Sequence, residues 1–462
     1  MSALSEAFVR GLRDAVGTDN CSTDPADCLP YGYDNSRRVT CPQALAFATT
    51  HNQVSTIVRL CHDHAVPLTT RGRGTNTTGA TVPIAGGLVL SLERMNRILE
   101  INAADRLAVV EAGVTNGEVQ TAAGEQGFFW PPDPTSAGYS SVGGNLACNA
   151  AGPHAVKYGS CRENTLGLVA ITGTGETLRT GVRTTKGVVG YDLTRLLIGS
   201  EGTLGIITEA TLKLTPKPES KRTLRGLYRD IQSAADAVAA IMAQPQTPSV
   251  LEFIDGTAIN MIRGYTDTDL PAEAGAMLML EVDGSAVSLD HSVTAVEQAA
   301  RNTGLLEWRV ANTDDEIASL WATRKALSPA QRKIAPKKIN EDVVVPVSRI
   351  PELITTLEQL AGKHQITIVN FGHAGNGNIH VNLLGNPDDP RELQAMHDCL
   401  DEVFDLVLKL GGTLSGEHGV GIEKKAYVAR EIDPYSLALM RQLKSVFDPK
   451  GILNPGKTLP EA

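Results

Sequence analysis

Val66-Pro67-Leu68-Thr69-Thr70 runs directly into Arg71-Gly72-Arg73-Gly74-Thr75-Asn76-Thr77-Thr78-Gly79. The first five residues read as a short strand. The loop that follows carries Gly72, Gly74 and Gly79, which take positive φ freely and leave backbone N–H groups uncovered. A strand ending in such a loop suits a pyrophosphate cradle, although a plain turn between strands would read the same way. Upstream, Pro42 at a first turn and Val54, Ile57, Val58 and Cys61 at helical spacing predict a helix starting near Pro42. Downstream, residues 88–92, 98–101 and 107–113 are short apolar runs bounded by turns and are expected to be strands.

Two further glycine-rich tracts follow. One holds Pro131-Pro132-Asp133-Pro134-Thr135-Ser136, Val142-Gly143-Gly144-Asn145 and Ala151-Gly152-Pro153; the other runs from Gly190-Tyr191-Asp192 through Ile198-Gly199-Ser200-Glu201-Gly202-Thr203-Leu204-Gly205 to Ile207. Three such tracts among strand-like runs suggest one large ligand lined by backbone. Thr211-Leu212-Lys213-Leu214 then alternates and stops at Pro216-Lys217-Pro218, a natural domain boundary.

The chain has 462 residues, too many for one ordinary core, so at least two domains are expected. An apolar content of 42% with 20% charged residues is that of a globular protein. The formal charge of −10 argues against nucleic acid and against electrostatic attachment to anionic lipid. A small anionic substrate stays open, because a local Arg or Lys cluster can overrule the global sign. No uncharged apolar run is long enough to span a bilayer, and residues 1–6 lack the apolar core of a signal peptide. Seven cysteines without a CxxC pattern fit a reducing compartment, so a cytoplasmic protein is expected. The oligomeric state is left open, a homodimer included.

Taken together, these residues resemble the flavoenzymes of the vanillyl-alcohol oxidase / p-cresol methylhydroxylase family. Within it they look like the branch that oxidises D-2-hydroxy acids, comprising D-lactate dehydrogenase, D-2-hydroxyglutarate dehydrogenase and the glycolate oxidase flavin subunit. The resemblance runs from near Pro42 to Phe447-Asp448-Pro449-Lys450-Gly451-Ile452-Leu453-Asn454-Pro455-Gly456-Lys457. It implies an α+β chain with a two-part FAD-binding domain of the PCMH type, an α+β substrate domain built on an antiparallel sheet, and a C-terminal tail returning to the FAD domain. The implied divisions are 1–41 (helix and loop), 42–219 (FAD), 220–430 (substrate and metal) and 431–462 (tail).

The same resemblance implies that Arg71, Gly72, Arg73, Gly74, Thr75, Asn76 and Gly79 hold the FAD pyrophosphate. Pro134, Thr135, Gly138, Gly143, Gly144, Asn145, Gly202 and Ile207 would line the flavin, with Asn454 from the tail. Relatives that attach FAD covalently often use a histidine in the first loop. This loop has none, so non-covalent FAD is expected; Cys148 and Cys161 read as packing residues first, with a tether to the isoalloxazine as the alternative.

From about Ser220 helix-like and strand-like segments alternate. Residues 251–255 and 276–282 read as strands, and residues 231–242 as an alanine-rich helix. Pro351 opens another helix with Leu353, Ile354, Leu357 and Leu360 on one face and Gly362 as its stop. Leu393, Met396, Leu400, Val403, Phe404 and Val407 form an apolar stripe ended by Gly411-Gly412, read as core.

The candidate chemistry lies in Asn370-Phe371-Gly372-His373-Ala374-Gly375-Asn376-Gly377-Asn378-Ile379-His380-Val381-Asn382 and in Ser415-Gly416-Glu417-His418-Gly419. Period-two geometry puts His380 and Asn382 on one strand face and Ile379, Val381 and Leu383 on the other. The tight turn after His373 lets a hairpin bring the two imidazoles together. A lone histidine is most often a hydrogen-bonded structural residue, but three of the ten histidines cluster in these two loops. His373, His380 and Glu417 make two imidazoles and a carboxylate, a set that suits zinc first and manganese or iron as alternatives. His418, beside Glu417, is the candidate proton acceptor, with a fourth metal ligand or a structural imidazole as the alternatives. Relatives carry Asp where this chain has Asn376, a departure expected to remove a turn or outer-sphere hydrogen bond.

The resemblance assigns Asn382 to substrate orientation and, through Trp321-Ala322-Thr323-Arg324-Lys325, Arg324 to a substrate carboxylate, which an Arg fork grips at two points. Lys338 is a weaker candidate for a second contact, since its spacing to Pro346 differs from that of the hydroxyglutarate branch. The expected function is FAD- and metal-dependent oxidation of a D-2-hydroxy acid. The electron acceptor is left open among an electron-transfer flavoprotein, a quinone and a cytochrome. The alternatives are an oxygen-using oxidase, a glycolate-oxidising flavin subunit, a metal-dependent hydrolase that binds a nucleotide, and a non-catalytic binding subunit.

Overall fold

The turn-bounded apolar runs of the first half form strands, and those strands form two main sheets. The computed structural model describes residues 3–265, 269–335, 337–386 and 388–461. The chain divides into two compact units, one made of Met1–Gly152, Gly159–Lys217 and Glu417–Ala462, the other of Pro153–Tyr158 and Pro218–Gly416.

In the first unit, β1 (Cys21–Ser22), β2 (Ala44–Phe47), β3 (Leu68–Arg71) and β4 (Leu88–Ser91) make a sheet of order β1-β2-β4-β3. β2 and β3 both pair with β4 in parallel. All four residues of β4 are buried, as a central parallel strand covered on both faces requires. The helix His51–His64 connects β2 to β3 and buries Val54, Ile57, Val58 and Cys61 against Phe8, Leu12 and Leu90.

The expectation of a helix from Pro42 is corrected here, because the helix begins at His51 with Thr50 as its cap, accepting from the Gln53 N–H at 3.3 Å. Ala44–Phe47 is drawn into the sheet by its register with Leu88–Ser91, and pairing overrides the helix propensity of an Ala-Leu-Ala run.

The second sheet is antiparallel, with β5 (Ile98–Asn102), β6 (Leu107–Glu111), β8 (Thr165–Ile171), β9 (Thr177–Gly181) and β10 (Ile206–Lys213) in the order β5-β6-β10-β8-β9. A small pair, β7 (Phe128–Phe129) with β11 (Thr215–Pro216), lies beside it in sequence. Trp130 is fully buried in this core and donates its indole N–H to the Asn164 carbonyl at 3.0 Å.

The C-terminal segment closes the first sheet. Leu68 N–H donates to the Ile452 carbonyl and Asn454 N–H to the Leu68 carbonyl, both at 2.8 Å. Asp448 holds that turn by accepting from the N–H groups of Ile452 and Leu453 at 3.1 and 2.7 Å. The tail thus returns to the first unit, as expected.

The second unit is one antiparallel sheet of seven strands: β12 (Ser220–Tyr228), β13 (Val250–Asp255), β14 (Ala276–Gly284), β15 (Leu305–Ala311), β16 (Lys337–Val344), β17 (Thr367–His373) and β18 (Asn378–Gly385). Their order is β15-β12-β14-β13-β17-β18-β16. The helices Gly256–Arg263 and Asp314–Ile334 cover the face that presents Leu227, Ile254, Met277, Met279, Val369 and Phe371. Phe253, Leu278, Leu280 and Val381, alternating with these, are buried on the other face. The helix Ile350–His364 buries Leu353, Ile354, Leu357 and Leu360 as expected, but Gly362 does not stop it. Gln365 does, in the left-handed region at φ 55°, with Ile366 N–H returning to the Ala361 carbonyl at 3.1 Å.

Candidate active site

The site is organised by strand register in the second unit. β17 and β18 form a hairpin in which His373 pairs with Asn378 and Phe371 with His380. On either side, Glu252 of β13 pairs with His373, Asp342 of β16 with His380, and Asn340 with Asn382. Cross-strand partners share a face, so Glu252, His373, His380, Asp342, Asn382 and Asn340 all project from the side covered by the helix Asp314–Ile334. Gly377 makes the turn at φ 75°; a Cβ there would stand 1.8 Å from the Val345 carbonyl oxygen, so only glycine fits. Asn376 is exposed on this turn.

His373 and His380 are both 8% exposed, with ring centroids 5.3 Å apart and planes at 83°. The buried carboxylate of Glu252 contacts His373 Nδ1 and accepts from Arg324 Nε at 3.0 Å. Burial alone would raise the pKa of Glu252, but the charges and hydrogen bonds of His373 and Arg324 outweigh it and hold the group ionised, well below the usual carboxylate range. Glu252 thus engages the Nδ1 edge of the His373 ring. Arg324 lies over the Phe371 ring, 4.6 Å from its centroid, so its guanidinium is fixed by both neighbours.

Asn382 is fully buried, and its Nδ2 donates to the carbonyls of Val369 and His380, both at 3.0 Å. Its Oδ1 is therefore the atom left to accept, and it is buried without a partner among the described residues. Lys338 sits two residues along β16 from Asn340, opposite Leu384, and donates to Gln331 Oε1 at 3.3 Å. Asp342 receives the Gly416 N–H on its carbonyl and on Oδ2, at 2.8 and 2.9 Å. This ties the chain just before Glu417 to the strand position opposite His380. Glu252 and Asp342 were not among the sequence candidates. The one signal for Glu252 is a carboxylate inside an apolar strand, Leu251-Glu252-Phe253, whereas Asp342 is hidden in the charged run Asn340-Glu341-Asp342.

In the first unit, none of the hydrogen bonds among the described residues is donated by a backbone N–H of residues 72–77. The loop is shaped from within by Asn76, whose Oδ1 accepts from the N–H groups of Thr78 and Ala80 at 2.8 and 3.1 Å. Gly74 has φ 66° and Gly79 φ 79°, and Thr75 accepts from Asn35 through its carbonyl.

Arg71 is buried and turned back onto the Tyr33 carbonyl and over the Tyr31 ring, while Arg73 lies 3.7 Å from Glu93. Gly72 abuts Ser141, where a Cβ would meet Oγ at 2.3 Å, and Gly143 abuts Ala112. Asn145 is buried with Nδ2 unpartnered among the described residues, as is Ser140 Oγ. These orphaned donors and the uncovered amides are what a polyanionic cofactor would satisfy.

The fold brings Gly143, Gly144 and Asn145 onto the short helix Val142–Cys148 against the first loop. Asn454 bonds Ala80 and Glu201 through their carbonyls, at 2.9 and 2.7 Å. Ile207 is buried in the neighbouring core. Gly138 and Gly202 face open space, and the Pro134 carbonyl accepts from Ala137 in the turn that includes Thr135.

Cys148 is half-buried and Cys161 buried; burial pushes the Cys148 thiol up to about 12 and that of Cys161 well above its ordinary value. His418 is half-buried in a loop held by Asn76, which donates to its carbonyl at 3.0 Å, and by Glu201, which accepts from the Gly421 N–H at 2.8 Å. In the same unit Glu417 accepts from the Gly152 N–H at 2.9 Å.

Comparison with known proteins gives matches over almost the whole chain. Residues 42–181 match the FAD binding domain and residues 217–458 the C-terminal domain of FAD linked oxidases. The glycolate oxidase subunit GlcD of Bacillus subtilis is 38% identical, covering 96% of this chain and 95% of its own length. The D-lactate dehydrogenase of Anaerostipes hadrus is 34% identical over 90% of this chain and 89% of its own. The D-2-hydroxyglutarate dehydrogenase of Stutzerimonas stutzeri is 32% identical over 98% of both. Among solved structures, p-cresol methylhydroxylase superposes with a TM-score of 0.78 at 18% identity, covering 98% of this chain and 96% of its own, a likeness of fold alone.

Proposed function

The chain belongs to the FAD-linked oxidases, and from that premise we propose that it oxidises a D-2-hydroxy acid to the 2-oxo acid and passes the electrons to a separate acceptor. The observation that carries this reading is the single sheet face on which Glu252, His373, His380, Asn382 and Arg324 converge. The three relatives described above are named for glycolate, D-lactate and D-2-hydroxyglutarate, all 2-hydroxy acids, which supports the substrate class.

FAD would be held non-covalently by residues 71–79, 134–145, Gly202, Ile207 and Asn454. The raised thiols of Cys148 and Cys161 disfavour the thiolate that a covalent tether needs. A divalent metal, zinc first and manganese or iron second, would be held by His373, His380 and Glu417; the carboxylate–histidine pairing of Glu252 with His373 is a usual outer-sphere support for such a ligand. When bound, FAD accepts a hydride and the metal lowers the pKa of the substrate hydroxyl.

The side chains supply the rest. Glu252 takes the Arg324 Nε–H and fixes the guanidinium plane, so the terminal amino groups meet the substrate carboxylate in a set orientation. Asn382, its amide locked by two carbonyls, offers Oδ1 to the substrate. His418 accepts the hydroxyl proton. The test is anaerobic bleaching of the bound flavin by a panel of D- and L-2-hydroxy acids, with and without chelator. D-selective, chelator-sensitive bleaching is expected; failure of every 2-hydroxy acid to reduce the flavin in metal-replete protein would sink the proposal. Rapid reoxidation by air would instead identify an oxidase.

A further inference from the structure

We propose, resting on the reaction assigned above, that the substrate is a 2-hydroxy monocarboxylate with a small uncharged substituent on C2, and that Asn340 and Gln331 exclude a second carboxylate. Strand register carries the argument. The residue directly across from Asn382 is Asn340, a neutral amide, and Lys338 is one pair further along the same face, opposite Leu384. Along β16 that offset is two residues, or about 7 Å. Lys338 is exposed and directed to the buried Gln331, whose Oε1 receives its ammonium at 3.3 Å.

Among the described residues, Asn382, Asn340 and Gln331 bring unpartnered amide atoms to this face. These are Asn382 Oδ1, Asn340 Oδ1 and Gln331 Nε2, each buried. Whichever amide atom Asn340 presents, it brings no full charge. Gln331 stands seven residues after Arg324, so both lie on the same stripe of the helix Asp314–Ile334. Arg324 overlies β17 through Phe371, and Gln331 reaches β16 through Lys338. A substrate whose C1 carboxylate is gripped by Arg324 thus points its other end toward neutral amides.

Two further charged groups on this face are already committed. Asp342 is bonded to Gly416 and Ser415, and Glu252 to His373 and Arg324. A second carboxylate placed here would lose its hydration against amides that supply no full positive charge in return, which is strongly unfavourable. A hydrogen, a methyl or a hydroxymethyl group meets no such penalty, and a hydroxyl could donate to Asn382 Oδ1 or Asn340 Oδ1.

The test compares kcat/KM for glycolate, D-lactate and D-glycerate with that for D-malate and D-2-hydroxyglutarate, using an artificial electron acceptor. The best monocarboxylate should exceed both dicarboxylates by at least about 100-fold. Asn340→Lys should raise D-2-hydroxyglutarate turnover at least about tenfold, mainly through a lower KM. Calorimetric binding of pyruvate and 2-oxoglutarate to the unmodified holoprotein gives a readout that needs no variant, with pyruvate expected to bind more tightly. A dicarboxylate used as well as or better than the monocarboxylates, with that preference lost in Lys338→Ala, overturns the inference while leaving the reaction class intact. Failure of every acid to be oxidised removes both.

Discussion

Glu252 is the residue on which the candidate site turns. It engages His373 Nδ1 and Arg324 Nε at once, so one buried carboxylate orients both side chains. Glu252→Gln keeps the shape but loses the charge, so divalent-metal affinity should fall by about 10- to 100-fold while bound flavin is unchanged. Metal content after dialysis against graded chelator measures this.

Asp255 poses a different electrostatic problem. Burial pushes its carboxyl up to about 7 from 3.8, with Glu358 adding to the rise, although the N–H groups of Ala258 and Asn370 and the Asn370 amide oppose it. A folded pKa above the unfolded one means stability that is complete below pH 3.8 and lost as pH rises through 7. Asp255→Asn should therefore lose less melting temperature than the parent between pH 5.5 and 8.5, as thermal melts at matched ionic strength would show. At this scale His373 and His380 were legible because glycines isolate them, whereas Glu252 was not. A single Glu in an apolar strand reads as its solvent edge until the neighbouring strand is known.

The β17–β18 hairpin does the positioning at the level of elements. Its alternation was readable from residues 366–383, and so was the turn, because Gly375 and Gly377 bracket Asn376. Gly377→Ala would need a Cβ inside the Val345 carbonyl at a positive φ, so it should cost at least about 2 kcal/mol of stability in denaturant titration. Metal binding should fail in the same variant, since His373 and His380 lose their common register. The helix at His51 shows where local reading stops. Ala44–Phe47 has helical composition and strand conformation, because β4 lies ready to pair with it on one side. Gly362 is the converse case, a stop signal the helix ignores because nothing crowds that position and Gln365 supplies the turn.

Across the whole molecule, the flavin-type loops and the imidazole pair belong to different compact units. His373→Ala should therefore abolish metal binding and turnover while the visible flavin spectrum and FAD stoichiometry stay those of the parent. Loss of flavin together with metal would show that the two sites are not independently built. None of the helices among the described residues is long and apolar enough to cross a membrane. By itself the sequence determined the class of fold, the glycine loops and the hairpin, because these depend on local backbone freedom and on period-two or helical spacing. Only the tertiary structure decided which groups meet. It set Glu252 against His373, Asp342 against His380 and Asn340, rather than Lys338, against Asn382. The reason is that register between strands distant in sequence is chosen by the packing of whole faces, and a shift of one residue would turn every one of these side chains to the other side of the sheet.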